Sequence, residues 1–209
     1  MTERLPLPRL HAVTDDRMAR RPDLSTIAAG LARGAGQELA LHARGPGLSG
    51  LEQHQLAVRL SAGPIVRLFV NDRLDIALAL GERVTGVQLP AGGLPVAAAR
   101  RLSPRWLIGR SVHSLEEAEA ARAAGADYLV VGPVFATATH PDRPPLGIDL
   151  LRQITTVRTT PVIAIGGVTP ARVRELKDAG VHGVAAIRSL WDAPDPAAVV
   201  RQMVEELQR

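Results

Sequence analysis

Short apolar segments alternate with longer helix-like segments along almost the whole chain. The apolar segments are continuous rather than alternating, which is typical of strands buried on both faces of a parallel sheet. Eight strands are predicted, at residues 10–13, 39–41, 65–70, 84–89, 106–109, 128–131, 162–165 and 183–187. The segments between them are rich in Ala, Leu and Glu and predict helices, the last of them over residues 196–207.

Capping and turn residues mark the ends of the predicted helices. Pro95 suits a first helical turn, and residues 114–117 (SLEE) predict a capping box. Residues 124–127 (AGAD) and 179–182 (AGVH) are near-repeats in which a glycine ends a helix just before a strand. Eight evenly spaced strands, each followed by a helix, favour a closed barrel over a doubly wound open sheet. We therefore expect an α/β protein, a single compact TIM (β/α)8 barrel occupying residues 1–209 as one domain.

Composition limits which side chains can fill the interior and indicates where the protein is located. Aromatic residues make up 2% of the chain, so we expect small branched side chains, without large rings, to fill the barrel. The absence of cysteine excludes disulfides, thiolate metal sites and cysteine nucleophiles. No stretch approaches the length of a membrane span and Met1 is not followed by a leader-like segment, so a cytoplasmic protein with no membrane partner is expected.

The net charge of +4 raises the question of a nucleic-acid partner. The cations are almost all arginines, with Lys177 as the one lysine, and they are spread over every segment. No basic run with interleaved aromatic residues is present, so nucleic-acid binding is not expected.

The strongest candidate site follows predicted strands seven and eight. Glycines after a strand let backbone amides approach an anion, and Thr169 is expected to cap the helix that begins there. TIM barrels commonly bind phosphate in this position. The alternative is a tight turn that needs glycine for its shape, followed by a surface arginine. The predicted phosphate-binding residues are Gly166, Gly167, Ile187, Arg188 and Ser189.

Polar residues at the ends of strands two and three are further candidates. His42 and Arg44 end strand two and could face the barrel mouth, as could Asn71 and Asp72 after strand three. Asp72 could hold a metal ion, although capping the next helix is the commoner role of Asp in that position.

The segments after strands five and six supply the remaining candidates. Ser111 could bind an anion or a hydroxyl, and His113 could act as an acid or base or bond to the loop backbone. Thr137 and Thr139 could present hydroxyls to a ligand, and His140 could move protons near neutral pH.

These strings, in this order, resemble the thiamine-phosphate synthase/TenI superfamily over nearly the whole chain. The matching segments are residues 10–16 (LHAVTDD), 71–77 (NDRLDIA), 108–118 (IGRSVHSLEEA), 132–135 (GPVF) and 164–170 (AIGGVTP). The resemblance implies a compact β/α barrel and two possible activities.

The synthase branch joins a pyrimidine pyrophosphate to a thiazole phosphate with Mg²⁺, and would use Arg44, Asn71, Asp72 and Ser111. Three of its patterns are altered here. Residues 42–46 (HARGP) stand where the synthases have Gln-Leu-Arg-x-Lys, and residues 90–94 (PAGGL) stand where they have an acidic loop after strand four. Thr139 followed by His140 replaces their Thr-Lys. Two cations and one metal carboxylate are thereby lost, which should weaken the binding of pyrophosphate and Mg²⁺.

The TenI branch, which resembles residues 87–92 (VQLPAG) and 109–114 (GRSVHS), isomerises a carboxythiazole phosphate to its aromatic tautomer. That reaction needs a phosphate grip and one acid or base, with Thr137 and Thr139 addressing the carboxylate. The histidine proposed as base in that branch is replaced by Pro133. The candidate bases are therefore His140, His113 and His42.

The sequence thus predicts a thiazole tautomerase, an isomerase of thiamin biosynthesis without a metal or other cofactor. Two alternatives stay open: a thiamine-phosphate synthase, a transferase with Mg²⁺ bound at Asp72, and a non-catalytic regulatory protein that binds the thiazole phosphate. The expected partner is a small phosphorylated thiazole, and a homodimer is possible.

Overall fold

The chain folds into a closed barrel of eight parallel strands. The computed structural model describes residues 5–63, 67–137, 144–157 and 159–209. Each strand pairs in parallel with the next, and β8 closes the sheet against β1. The strands are β1 (Leu10–Val13), β2 (Leu39–Ala43), β3 (Arg67–Asn71), β4 (Val84–Leu89), β5 (Leu107–Val112), β6 (Tyr128–Val131), β7 (Val162–Ile165) and β8 (Gly183–Ala186). The predicted TIM barrel is confirmed.

Helices surround the barrel. They are α1 (Asp16–Ala19), α2 (Leu24–Ala35), α3 (Gly50–Leu60), α4 (Leu74–Leu80), α5 (Val96–Leu102), α6 (Leu115–Ala123), α7 (Gly147–Thr156), α8 (Val173–Asp178), α9 (Arg188–Trp191) and α10 (Pro196–Gln208). Single 3-10 turns occupy Gly36–Glu38, Gly81–Arg83 and Pro170–Arg172. Among the described residues, no helix is long and apolar enough to cross a membrane.

Two predicted caps differ from the structure. Ser114 accepts the N–H of Glu117 as expected, but the Glu117 carboxylate accepts the N–H of His113, one residue before the cap. Thr169 precedes the 3-10 turn without a hydrogen bond from its side chain. The turn after β7 therefore forms without a threonine cap.

The barrel interior contains large rings, and the prediction that it would exclude them was wrong. Phe69 and Tyr128 pack edge to face with centroids 5.9 Å apart, and both are fully buried. Glycines on the neighbouring strands make room for them. A Cβ on Gly86 would lie 2.5 Å from the Phe69 ring, and one on Gly109 would lie 2.2 Å from the Tyr128 ring.

The segment before β1 closes the end of the barrel where the strands begin. Three backbone carbonyls of this segment accept hydrogen bonds from the barrel: Pro6 from Arg67, Leu7 from His182 and Pro8 from His11. Leu7 also packs against the apolar residues of the interior. With this end covered, the interior can open to ligands at the carboxyl ends of the strands.

Candidate active site

A cavity of about 410 Å³ opens at the carboxyl ends of the strands. This is the usual position of a TIM-barrel active site, and the volume suits a small phosphorylated molecule. The predicted site residues in its wall are His42, Arg44, Asn71, Ser111, His113, Thr137, Gly166, Gly167, Ile187, Arg188 and Ser189. Thr139 and His140 lie outside the described residues. The structure therefore brings most of the predicted candidates together around one space.

The turn after β7 exposes backbone amides to this cavity. Gly166 and Gly167 have φ angles of 98° and 64°, and a Cβ on either would come within 2.7 Å of the loop after β6. The Gly166 carbonyl accepts the N–H of Phe135, so it points away from the cavity. Among the described residues, no acceptor takes the N–H of Gly167 or Val168. The glycines thus serve both the packing of the turn and the exposure of anion-binding amides.

The start of α9 faces the same space from β8. Arg188 and Ser189 are its first two residues, and within the described chain their N–H groups also have no acceptor. The Ser189 hydroxyl donates to the Val168 carbonyl at 2.8 Å, which ties the two turns together. The Ser189 contribution to an anion is therefore its amide, since its hydroxyl hydrogen is engaged. Arg188 is exposed at the rim.

Arg172 contacts the turn after β7 and was not found from the sequence. Its guanidinium donates to the Gly167 carbonyl at 2.7 Å and lies 4.3 Å from the centroid of the Phe135 ring. It also lines the cavity. Its position in the 3-10 turn that follows β7 could have identified it as a candidate from the sequence.

Arg44 lies just after β2 and lines the same cavity. Its backbone N–H donates to the Thr14 hydroxyl at 2.9 Å, which joins the ends of β1 and β2. Burial lowers the pKa of the Arg44 guanidinium, while Asp16 and Asp15 act to raise it. Arg44 thus offers a partly desolvated positive charge to the cavity.

His42 sits deeper than a mobile acid or base at the mouth would. It is 1% exposed and stacks on Phe69 with centroids 5.0 Å apart. Its ring contacts His11 at 2.8 Å and the Asn71 amide at 2.9 Å. Burial lowers the pKa of His42 to about 4, despite the contact with Asn71, which acts to raise it. His11 was not among the sequence candidates, because it lies inside a strand rather than at its end.

The wall formed by β4 and β5 holds three further polar groups. Gln88 donates to the Ser111 hydroxyl at 3.0 Å, while its own Oε1 is buried with no partner in the described protein. Nδ1 of His113 donates to the Gly132 carbonyl at 2.6 Å. A neutral His113 ring therefore keeps Nε2 as an acceptor. Gln88 was missed from the sequence, for the same reason as His11.

Asp72 lies beside the cavity and is not part of its wall. It adopts a left-handed φ of 65°, and Arg73 rather than Asp72 occupies the cap position of α4, with no side-chain cap. The expected capping role is therefore wrong. Across the part of the chain that the structure describes, no group of three or more His, Cys, Asp or Glu residues could hold a metal ion.

Arg110 fixes the loop after β4, the segment that lacks the acidic residues of the synthase pattern. Its guanidinium donates to the carbonyls of Ala91 at 2.5 Å, Leu94 at 2.9 Å and Gly93 at 3.4 Å. The loop is thus held by a side chain from the next strand.

Comparison with known proteins identifies the family. A family model described as thiamine monophosphate synthase (TMP-TENI) matches residues 10–190. The chain belongs to this family.

Two relatives have names that refer to thiamine biosynthesis. The bifunctional ThiM/ThiE protein of Symbiobacterium thermophilum is 46% identical over 144 residues, which cover 68% of this chain and 30% of that protein. The thiamine-phosphate synthase of Chloroflexus aurantiacus is 45% identical over 139 residues, 66% of this chain and 63% of its own length. These two matches thus span less than two thirds of each relative.

Two archaeal proteins match over nearly their full length. The thiamine-phosphate synthase of Pyrococcus abyssi is 35% identical over 204 residues, 96% of this chain and 93% of that one. The solved structure of thiamine phosphate pyrophosphorylase from Pyrococcus furiosus superimposes with a TM-score of 0.74 at 30% identity, covering 96% and 95% of the two chains.

These relatives overturn the predicted thiazole tautomerase. Proteins up to 45% identical are named thiamine-phosphate synthases, so the isomerase assignment was wrong and the transferase alternative is the better supported one.

Proposed function

We propose that this protein is a thiamine-phosphate synthase, a transferase that couples a pyrimidine pyrophosphate to a thiazole phosphate. The observation that carries the proposal is the 35% identity to the Pyrococcus abyssi synthase along 96% of the chain. The cavity supports it, because free backbone amides and the Arg44 guanidinium line one space.

The coupling chemistry suits the groups that line this cavity. The ring nitrogen of the thiazole forms a bond to the carbon that carries the pyrophosphate, and the bond from that carbon to oxygen breaks. The pyrophosphate leaves with the electron pair, and the nitrogen becomes cationic. No proton is transferred, so Pro133 in place of a basic histidine is no obstacle to this reaction. The protein has to orient two substrates, exclude water and stabilise the leaving anion.

Two anion-binding regions can divide this work. The amides of Gly167, Val168, Arg188 and Ser189 suit the single phosphate of the thiazole. Arg44, which is partly desolvated at the end of β2, suits the leaving pyrophosphate. A cation in a desolvated place stabilises developing negative charge more strongly than one in water.

Magnesium, which the synthase family implies, fits this wall poorly as a protein-built centre. Asp72 is the carboxylate that the resemblance to the synthases implies, and it lies outside the cavity wall with no second acidic side chain in residues 90–94. Mg²⁺ commonly uses one or two carboxylates together with substrate phosphates. Any ion here would depend mainly on pyrophosphate oxygens.

The deciding experiment is a coupling assay. Purified protein is mixed with the pyrimidine pyrophosphate, the thiazole phosphate and Mg²⁺, and thiamine phosphate is measured by mass spectrometry. We expect product formation that Arg44→Ala reduces at least tenfold, on the order expected for loss of a charged hydrogen bond. His54→Ala, on the outer helix α3, is the control. Tight thiazole phosphate binding without product would favour the non-catalytic alternative. Cytoplasmic location, a homodimer and the lack of a nucleic-acid partner stay predictions.

A further inference from the structure

The loop after β2 lies against the carboxylate of Asp16, the first residue of α1. Both oxygens of this carboxylate accept the N–H of Gly47, at 3.1 and 3.2 Å. A Cβ on Gly47 would lie 2.8 Å from Oδ2 of Asp16, and one on Gly45 would lie 3.0 Å from Oδ1. The carboxylate therefore fills the space that the two glycines leave open.

Arg44 is held between this loop and the end of β1. The Thr14 hydroxyl accepts the N–H of Arg44 at 2.9 Å, and the N–H of Thr14 donates to the His42 carbonyl at 3.2 Å. On the other side of Arg44, Asp16 holds the N–H of Gly47. Residues of the segment after β1 therefore fix the backbone on both sides of Arg44.

The guanidinium of Arg44 is left available to a ligand. It lines the cavity, and within the described residues it forms neither an ion pair nor a side-chain hydrogen bond. Burial lowers the pKa of this guanidinium, and the charges of Asp16 and then Asp15 act to raise it through space. Asp16 thus stabilises the charge of Arg44 without occupying the N–H groups that an anion would use.

The same loop lacks the lysine of the synthase pattern, because Pro46 stands in its place. Arg44 is therefore the cation that this loop supplies. The ring of Pro46 fixes its own φ, and the contact between Asp16 and the next residue restrains the loop further. A cation on an ordered backbone loses less entropy when it binds a ligand, which offsets part of the affinity that a second cation would add.

We propose that Asp16 is a positioning residue, which holds the loop of residues 44–47 and thereby directs the Arg44 guanidinium at the anion. That this anion is a pyrophosphate rests on the proposed function. Asp16 is not among the residues that line the cavity, and its negative charge would repel an anion that touched it. Its contribution is therefore the placement of Arg44, and an uncharged hydrogen-bond acceptor of the same size should serve almost as well.

Two variants of Asp16 separate positioning from charge. Asp16→Ala removes the acceptor of the Gly47 N–H, whereas Asp16→Asn keeps an acceptor of the same size and removes the charge. By calorimetry with Mg²⁺, Asp16→Ala should weaken binding of inorganic pyrophosphate about tenfold, and Asp16→Asn should retain most of the wild-type affinity. Equal weakening by the two changes, or none by Asp16→Ala, would overturn the proposal. Asp178→Ala, which removes an exposed carboxylate of α8, is the control.

Double-mutant cycles show whether Asp16 acts through the loop and Arg44. In the Arg44→Ala background, Asp16→Ala should cause little further loss of pyrophosphate affinity, because the side chain that Asp16 positions is gone. Gly47→Ala brings a Cβ to 2.8 Å from Asp16, so it should weaken binding in the wild type and have a smaller effect beside Asp16→Ala. Additive losses in both cycles would contradict a positioning role.

Binding of thiazole phosphate separates this role from general support of the fold. Its predicted amides follow β7 and β8, so every variant should bind it as the wild type does. Loss of both ligands in Asp16→Ala would show that Asp16 maintains the fold, and would overturn the proposal, as would a wild type that binds no pyrophosphate. If the wild type forms no thiamine phosphate, the proposed synthase function fails, while the pyrophosphate titrations still decide the role of Asp16.

Discussion

Arg188 combines an exposed guanidinium with a backbone amide at the start of α9, on the wall that we assign to the thiazole phosphate. Because its side chain is exposed, solvent screens its attraction for the ligand. We expect Arg188→Ala to weaken thiazole phosphate binding about tenfold, since the amides of both turns remain. Calorimetry at low and moderate salt provides the measurement. Arg201→Ala, an exposed arginine of α10, should leave the affinity unchanged; a similar loss there would mean that only overall charge matters.

The buried imidazoles should make the stability of the protein depend on pH. The pKa of His42 falls from its ordinary value of 6.5 to about 4 because of burial, so the unfolded chain binds more protons between these values. Stability is therefore fully present above about pH 6.5 and is lost as the pH falls towards 4. His42 alone should contribute a loss of about 2.5 kcal/mol by pH 4.5. His11 acts in the same direction.

Urea unfolding of the wild type and His42→Phe between pH 7 and pH 4.5 measures this contribution. The variant should lose less stability than the wild type over that range, because one of the histidines with a lowered pKa is absent. Parallel curves for the two proteins would show that His42 is not responsible. His54→Phe, which changes an imidazole outside the interior, should follow the wild-type curve.

At the scale of strands, the fit of β5 against the interior rings depends on glycine. A Cβ on Gly109 would lie 2.2 Å from both Gln88 Oε1 and the Tyr128 ring. Gly109→Ala should therefore reduce the free energy of unfolding by about 3 kcal/mol, the upper part of the usual cost of overpacking. Gly92→Ala has open space around its Cβ and should change stability by less than about 0.5 kcal/mol. Equal stabilities in urea unfolding would contradict the assigned packing.

The strands could be predicted because the apolar pattern that marks them is local in sequence. The packing of the interior could not be predicted in this way. Residues 10–13, 84–89, 128–131 and 162–165 are strands as the apolar pattern predicts. The pattern could not show that Gly86 and Gly109 leave space for rings, because that space is created by pairing across neighbouring strands. The cavity residues that follow strands, such as Arg44 and Ser189, were predictable from position. His11 and Gln88 were missed, since they sit within strands and reach the cavity only after the barrel closes.

At the scale of the molecule, similarity along the whole chain outweighs individual motif changes in our proposal of a function. The loss of two cations and of the acidic residues in residues 90–94 suggested that pyrophosphate and Mg²⁺ would be held weakly. The synthase-like relatives match along nearly the full chain, and the coupling reaction needs oriented substrates rather than a base. A barrel can meet that need with Arg44, Arg172 and backbone amides from several loops, which no single motif reports.

The segment before β1 provides the last prediction, since it joins the two ends of the chain at the closed end of the barrel. Its carbonyls accept hydrogen bonds from Arg67, His182 and His11, and Arg9 donates to the Leu207 carbonyl at 3.4 Å. Deleting residues 1–8 removes the acceptors of three buried or half-buried donors and should lower the free energy of unfolding by at least about 3 kcal/mol. Leu5→Ala, which changes an exposed side chain of the same segment, is the control for urea unfolding. The deletion also removes the Pro8 carbonyl, which accepts the hydrogen bond from Nε2 of His11. Because His11 contacts His42, the NMR signals of both imidazole rings should shift. A deletion variant as stable as the wild type, with unchanged histidine spectra, would show that the barrel closes without this segment.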